Sequence, residues 1–218
     1  MVDRSRAPVV AVLTRAPSSG GKTRLFAALG CPVDPALLSA LLLDTLDGAT
    51  VPETKRVVAV DPPDACGDVR ARVPADVGVR PQARGSLGDR MRALMTELVE
   101  EGATGVVLLG SDLPDITPAV VARALAWLDD DPASLVLGPA TDGGYYLLAA
   151  TRVPDVFDGI DWGSSRVLEQ TLAAADRAGM RVHLLEPLTD VDTPGDLREV
   201  TARRTRQWAA ALRVPSTD

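Results

Sequence analysis

The chain has 218 residues, a formal net charge of -7, 46% hydrophobic residues and mostly arginine among its cations. That length suits one α/β domain spanning residues 1–218. The acidic balance argues against a nucleic-acid binder, whose nonspecific affinity comes from Lys and Arg neutralising phosphates. Cys31 and Cys66 lack metal-ligand spacing, no signal-peptide-like apolar region opens the chain, and no apolar run approaches the ~20 residues of a membrane helix. A cytoplasmic protein away from membranes is the expectation.

Residues 9–13 form a short β-branched run that predicts a buried strand, followed by the small-residue loop TRAPSSGGKTR from Thr14 to Arg24 and a helix start. Backbone N–H groups of such a loop, together with a helix N-terminus, make an anion site to which Lys22 and Arg24 add charge. Phosphate is the expected guest, held by Gly20, Gly21, Lys22, Thr23 and Arg24; the plain alternative is a turn with solvated cations. Ala16-x-x-x-x-Gly21-Lys22-Thr23 is one substitution from a P-loop. However, Ala16 replaces its first glycine, Pro17 follows, and Gly30, Pro32 and Pro35 end the next helix within about two turns.

Asp34-Pro35 caps a helix whose buried face carries Leu37, Leu38, Leu41, Leu42 and Thr45. A strand is expected over 55–61, an irregular proline-rich stretch over 62–75, and a short strand over 77–80. After the loop 81–88 comes a helix running to Gly102, with Met91, Leu94, Met95 and Leu98 at core spacing. The apolar run 106–109 predicts a central strand that ends at Gly110-Ser111-Asp112. Thr117-Pro118 opens the next helix, and 135–137 is a strand ending before Asp142-Gly143-Gly144-Tyr145. Residues 144–150 form another strand. Ser164 or Ser165 is expected to cap a helix closed by Gly179, and 181–186 to form the last strand. Thr193 then caps the final helix, and 214–218 is a frayed tail.

Alternating strands and helices predict a three-layer, mostly parallel sheet, with chemistry at the carboxyl ends of the strands. Asp112, Asp142, Asp190 and Asp192 fall at those ends, and the cationic glycine loop falls at another of them. Phosphate oxygens call for Lys22, Arg24 and backbone N–H groups, whereas the carboxylates call for a bridging Mg²⁺ or Mn²⁺ that carries a diphosphate. Together they imply a nucleotide. Asp34, Asp115 and Asp196 are assigned to capping and turns. His183 is the only histidine and lies in an expected strand, no G-x-S-x-G elbow is present, and Cys/His zinc sites are excluded by count.

Several motifs, taken in order, resemble the rSAM/selenodomain-associated transferase family. They are Lys22-Thr23-Arg24-Leu25; Gln82 with Leu87-Gly88-x-Arg90-Met91; Gly110-Ser111-Asp112-x-Pro114; Gly138-Pro139-x-x-Asp142-Gly143-Gly144-Tyr145; Trp162; and Asp190-Val191-Asp192-Thr193-Pro194-x-Asp196-Leu197. The resemblance runs from about Val9 to Leu197 and implies a GT-A-like nucleotide-diphospho-sugar transferase fold. Phospholactate guanylyltransferases and molybdenum-cofactor nucleotidyltransferases are among that family's relatives. It implies Asp112, with Asp190 or Asp192, as metal ligands, and adds Gln82, Gly88 and Ser111 to the nucleotide side. The loop before Lys22 is one residue shorter than the family's P-x-x-G-x-x-K-T-R-L.

Three functions follow as expectations. The first is a metal-dependent transferase with a nucleotide-sugar donor, the second a nucleotidylyltransferase releasing pyrophosphate, and the third a non-catalytic nucleotide binder. In the enzyme readings Lys22, Asp112 and Asp142 are catalytic. Gly143, Gly144, Tyr145 and Trp162 wall a small-molecule acceptor, and a homodimer is compatible with either reading.

Overall fold

The computed structural model describes residues 6–212. The tail expected to fray over 214–218 lies outside the described residues. Seven strands form one sheet: β1 (Val9–Arg15), β2 (Lys55–Asp61), β3 (Gly78–Pro81), β4 (Val106–Gly110), β5 (Leu135–Pro139), β6 (Tyr145–Ala150) and β7 (Val182–Leu184). Their order is β3-β2-β1-β4-β6-β5-β7. All neighbouring pairs are parallel except those made by β6, which runs antiparallel to β4 and β5.

Period-two alternation distributes the strand side chains between two cores. Val10 and Val12 of β1, with Val58 and Val60 of β2, face one cluster; Val9 and Ala11, with Val57 and Ala59, face the other. The first cluster is closed by Leu42 and Leu46 of α2 (Pro35–Gly48), Val69 of α3 (Cys66–Arg70) and Val121, Ala124 and Leu128 of α5 (Pro118–Asp130). The second is closed by Met91, Leu94, Met95 and Leu98 of α4 (Leu87–Glu100) and Ala174 and Ala175 of α6 (Val167–Arg177). Helices therefore cover both faces of a mostly parallel sheet, the three-layer α/β arrangement expected. Each fully buried Val or Leu contributes about 1.5–3 kcal/mol.

α1 (Thr23–Leu29) ends at Gly30 after two turns, as the Gly30, Pro32 and Pro35 sequence requires. Asp34 caps α2 by accepting from the Ala36 N–H at 2.8 Å. Within the proline-rich stretch only a short turn and the five-residue α3 form. His183 stacks on Trp127 with ring centroids 5.0 Å apart, a packing role. Among the described residues no helix is long and apolar enough to cross a membrane.

Two helix boundaries depart from expectation. Neither Ser164 nor Ser165 caps α6: it begins at Val167, and Ser164 Oγ instead accepts from the Arg166 N–H at 3.2 Å in the preceding turn. The helix capped by Thr193, α7 (Pro194–Glu199), is not the last, because α8 (Arg203–Leu212) follows. Its N-terminal amides are satisfied from a distance. Asp115 accepts from Thr201 and Ala202, and buried Asp44 accepts from Arg204 and Thr205. No local capping residue marks the start of α8, so its start is invisible to spacing.

Candidate active site

The strand order changes direction between β1 and β4, the topological switch point at which α/β sheets open a crevice at their carboxyl ends. Leu13 pairs with Gly110 across that switch. Hence the loop after β1, with Gly20, Gly21 and Lys22, and the turn after β4, with Ser111 and Asp112, leave the sheet side by side. Because β6 is reversed, Tyr145 at its start pairs with Pro139 at the end of β5, so the hairpin bearing Asp142 rises at the same rim. The exit of β7 joins them: Ala140 bridges Leu188 in parallel, and Thr141 N–H donates to the Leu188 carbonyl.

One backbone bond then sets Asp190 and Asp192 beside Asp112. The Val191 N–H donates to the Asp112 carbonyl at 3.1 Å. Carboxylate oxygens of Asp112, Asp190 and Asp192 lie within 4.8 Å of one another. Ser111 Oγ donates to Asp112 Oδ1 at 2.9 Å, and Thr45 of α2 pins the turn by donating to the Ser111 carbonyl and accepting from the Leu113 N–H, both at 3.2 Å. Asp196 accepts from the Asp192 and Thr193 N–H groups, the capping role expected of it.

Lys22 Nζ completes the cluster, 2.5 Å from Asp112 Oδ2 and 2.6 Å from Asp192 Oδ1. Its backbone is left-handed, φ 47°, a conformation sparsely populated by non-glycine residues. Burial works against the Lys22 ammonium, but the Asp112 and Asp192 carboxylates outweigh it and hold its pKa above the ordinary lysine value. Burial, then the neighbouring Asp192 charge, pushes Asp190 up to about 6. The donor set fits Mg²⁺ or Mn²⁺: all the ligands are hard carboxylate oxygens, and a lysine cation already bridges two of them.

Two cavities flank the cluster. A hollow of about 450 Å³ is lined by Gly20, Gly21, Lys22, Ser111 and Asp112, with Leu38 and Leu41 of α2 behind it. A larger one of about 480 Å³ is lined by Asp142, Gly144, Tyr145, Trp162, Asp190 and Arg24, among others. Lys22 and Arg24, paired in the sequence reading, therefore serve different spaces and share only a groove beside Asp192 and Thr193, to which Thr23 also contributes. Arg24 is exposed, and Lys22 is mostly covered.

Three expected site residues have structural contacts of their own. Gln82 is buried and its amide donates to the carbonyls of Thr14 and Ala59 at 3.0 and 2.9 Å, so it ties the ends of β1 and β2 together. Gly88 is a seat for Trp162: a Cβ there would meet the indole at 2.8 Å. Gly143, at φ 92°, allows the Ser165 carbonyl to approach to within 2.1 Å of where a Cβ would stand. Asp142 accepts from the Gly144 N–H at 2.9 Å, closing a side-chain turn, and is exposed toward the larger cavity. Tyr145 meets Trp162 edge-on at 6.4 Å, and burial pushes its phenol well above the ordinary value.

Leu87, named in the sequence only as part of the Leu87-Gly88-x-Arg90-Met91 motif, has no place in the site expected from sequence. It is 46% exposed and lines both cavities, immediately after the α4 cap Ser86. An apolar side chain in a solvent-facing first turn was the available signal.

The comparisons agree with this architecture. The family described as "Uncharacterized protein conserved in bacteria (DUF2064)" matches residues 45–164. A phosphoenolpyruvate guanylyltransferase of Mycolicibacterium paratuberculosis is 30% identical over 200 residues, covering 90% of this chain and 87% of the relative. A crystal structure from Desulfovibrio desulfuricans G20, provisionally assigned as a nucleotide-diphospho-sugar transferase, superposes with a TM-score of 0.80 at 29% identity, covering 95% of this chain and 96% of that one. The synthetase of CMP-2-keto-3-deoxy-manno-octonic acid, solved with CTP, shares the fold at a TM-score of 0.57 and 19% identity, over 94% and 99% of the two chains.

Proposed function

This chain belongs to the DUF2064 family of bacterial proteins and is a transferase; from that premise we propose that it is a nucleotidylyltransferase, moving the nucleotidyl group of an NTP to a small acceptor and releasing pyrophosphate. The observation that carries the reading is the meeting of the Lys22 loop with Asp112, Asp190 and Asp192 between two separate cavities. The narrower kinship with rSAM/selenodomain-associated transferases is part of the same proposal.

In this reading the donor triphosphate lies along Gly20, Gly21 and Lys22, and the acceptor sits against Tyr145 and Trp162. An acceptor oxygen attacks the α-phosphorus, the bond from that phosphorus to the bridging oxygen breaks, and pyrophosphate leaves with the electron pair. Asp112, Asp190 and Asp192 would hold Mg²⁺ or Mn²⁺, which when bound neutralises charge on the phosphates. Ser111 holds the Asp112 carboxylate in place, and Lys22 offers a cation to the departing pyrophosphate. Asp142 takes the proton of an acceptor hydroxyl; an ionised phosphate acceptor needs no such base.

GTP with phosphoenolpyruvate is the first pair to assay, because the mycolicibacterial relative is named for it. Pyrophosphate release that depends on both substrates supports the reading. The second reading, glycosyl transfer from a nucleotide sugar, is favoured by the Desulfovibrio neighbour's assignment. Nucleoside diphosphate released from a nucleotide sugar, with no pyrophosphate from any NTP, would replace the first reading by the second.

A further inference from the structure

Lys22 occupies the space that a metal needs. Its ammonium bridges Asp112 Oδ2 and Asp192 Oδ1 at 2.5 and 2.6 Å, and Asp112, Asp190 and Asp192 each offer a carboxylate oxygen within 4.8 Å of the others. A Mg²⁺ ion would take oxygens of the same carboxylates at about 2.0–2.1 Å. An ammonium and a divalent cation compete for these two carboxylates, because held by the same pair they repel each other across a separation too short to admit a water between them. We infer that Lys22 is a displaceable internal counter-ion: it neutralises the acidic cluster while no metal is bound, and metal entry expels it toward the Gly20–Gly21 hollow.

Three observations support an exchange rather than a permanent bridge. The Lys22 ammonium makes its two bonds to the carboxylates alone, with no carbonyl partner among the described residues. Asp112 and Asp192 side chains are 34% and 56% exposed, so water and ions reach them while Lys22 is in place. Lys22 holds a left-handed backbone directly after two glycines and caps α1 without a side-chain hydrogen bond, so its departure breaks no helix cap. The residue type fits as well. Lys22 and Lys55 are the only lysines among 23 basic residues, and a compact ammonium on a flexible stem can enter and leave a site that a planar guanidinium would fill.

The consequence is coupling. Metal alone must first displace Lys22, whereas metal arriving with a triphosphate supplies the expelled ammonium with a new anionic partner. This inference rests on the reading of Asp112, Asp190 and Asp192 as metal ligands. The experiment separates the two.

Mn²⁺ binding without nucleotide is measured by electron paramagnetic resonance for the wild type, Lys22→Met and Lys22→Gln. If Lys22 occupies the carboxylates about nine-tenths of the time, the Mn²⁺ dissociation constant tightens roughly tenfold in both variants. In parallel, the wild type is methylated reductively with ¹³C-formaldehyde, exposed Lys55 serving as internal reference. Lys22 is expected to be protected in metal-free protein and to become reactive when Mg²⁺ is added alone. Lys22 that stays protected at saturating Mg²⁺, or unchanged Mn²⁺ affinity in both variants, overturns the inference while leaving the metal site intact. Absence of Mn²⁺ binding in the wild type and both variants overturns the metal site and the inference together.

Discussion

The Val191 N–H donates to the Asp112 carbonyl at 3.1 Å, and this bond joins the loop after β7 to the turn after β4. It places Asp190 and Asp192 on either side of the residue whose amide is bonded to the Asp112 backbone. Changing the chemistry of one carboxylate leaves the backbone bond that brings these loops together in place, so a variant can test the proposed site without dismantling it.

Asp112→Asn is therefore expected to keep the fold and lose turnover. The amide retains the shape of the side chain, but removes one negative charge from the carboxylate cluster and one ionic partner from Lys22. A loss of about 10²–10³ in kcat is the usual size for one electrostatic contact of this kind. Melting temperature and turnover measured on the same sample check it; undiminished metal-dependent activity would remove Asp112 from the mechanism.

Asp142→Asn separates turn-making from proton transfer. The amide oxygen still accepts from the Gly144 N–H, so melting should be unchanged. With a hydroxyl acceptor the transfer rate should fall about 10²-fold or more, because an amide cannot act as a base. With phosphoenolpyruvate, whose phosphate is already ionised, it should stay within a few-fold. Rates for the two acceptor types, wild type against variant, decide which oxygen attacks.

Gly88→Ala acts on the acceptor wall. The added methyl would lie 2.8 Å from the Trp162 ring, which must shift at the wall of the larger cavity. The expected cost is about 1–3 kcal/mol of stability, typical of overpacking. Acceptor KM should rise with donor KM unchanged, since the Gly20–Gly21 hollow does not include Trp162. An equal rise in both would assign Gly88 to the nucleotide.

Asp190 makes a pH prediction. Its carboxyl is pushed from 3.8 to about 6 in the fold by burial and by Asp192. The native state thus holds a proton that the unfolded chain has released, so between about pH 4 and 6 this residue makes stability fall as pH rises. Asp190→Asn should abolish that part of the slope and leave the variant the more stable form above pH 6 without metal. Denaturant unfolding of both proteins across that window checks the sign; identical slopes would remove Asp190 as its source.

Much of the fold was legible because its signals are local. The β-branched runs of β1, β2 and β4 announce buried strands, and Asp34 and Asp196 cap the helices beside them, as their spacing to the following N–H groups requires. Asp112 could be singled out for the same reason, as an acid directly after a buried strand and a glycine. Spacing could not reveal which residues meet across the chain. Gln82 ties together two strand ends, Asp44 and Asp115 serve a helix about 90–160 residues away, and Gly88 receives Trp162. Lys22 and Asp192 stand 170 positions apart in the chain, and their contact depends on the β1–β4 switch, the reversed β6 and the return of β7 together. Local hydrogen-bonding geometry is fixed by a few residues of sequence, but the carboxylate cluster and its lysine exist only where sheet order and register bring separate strand ends to one rim.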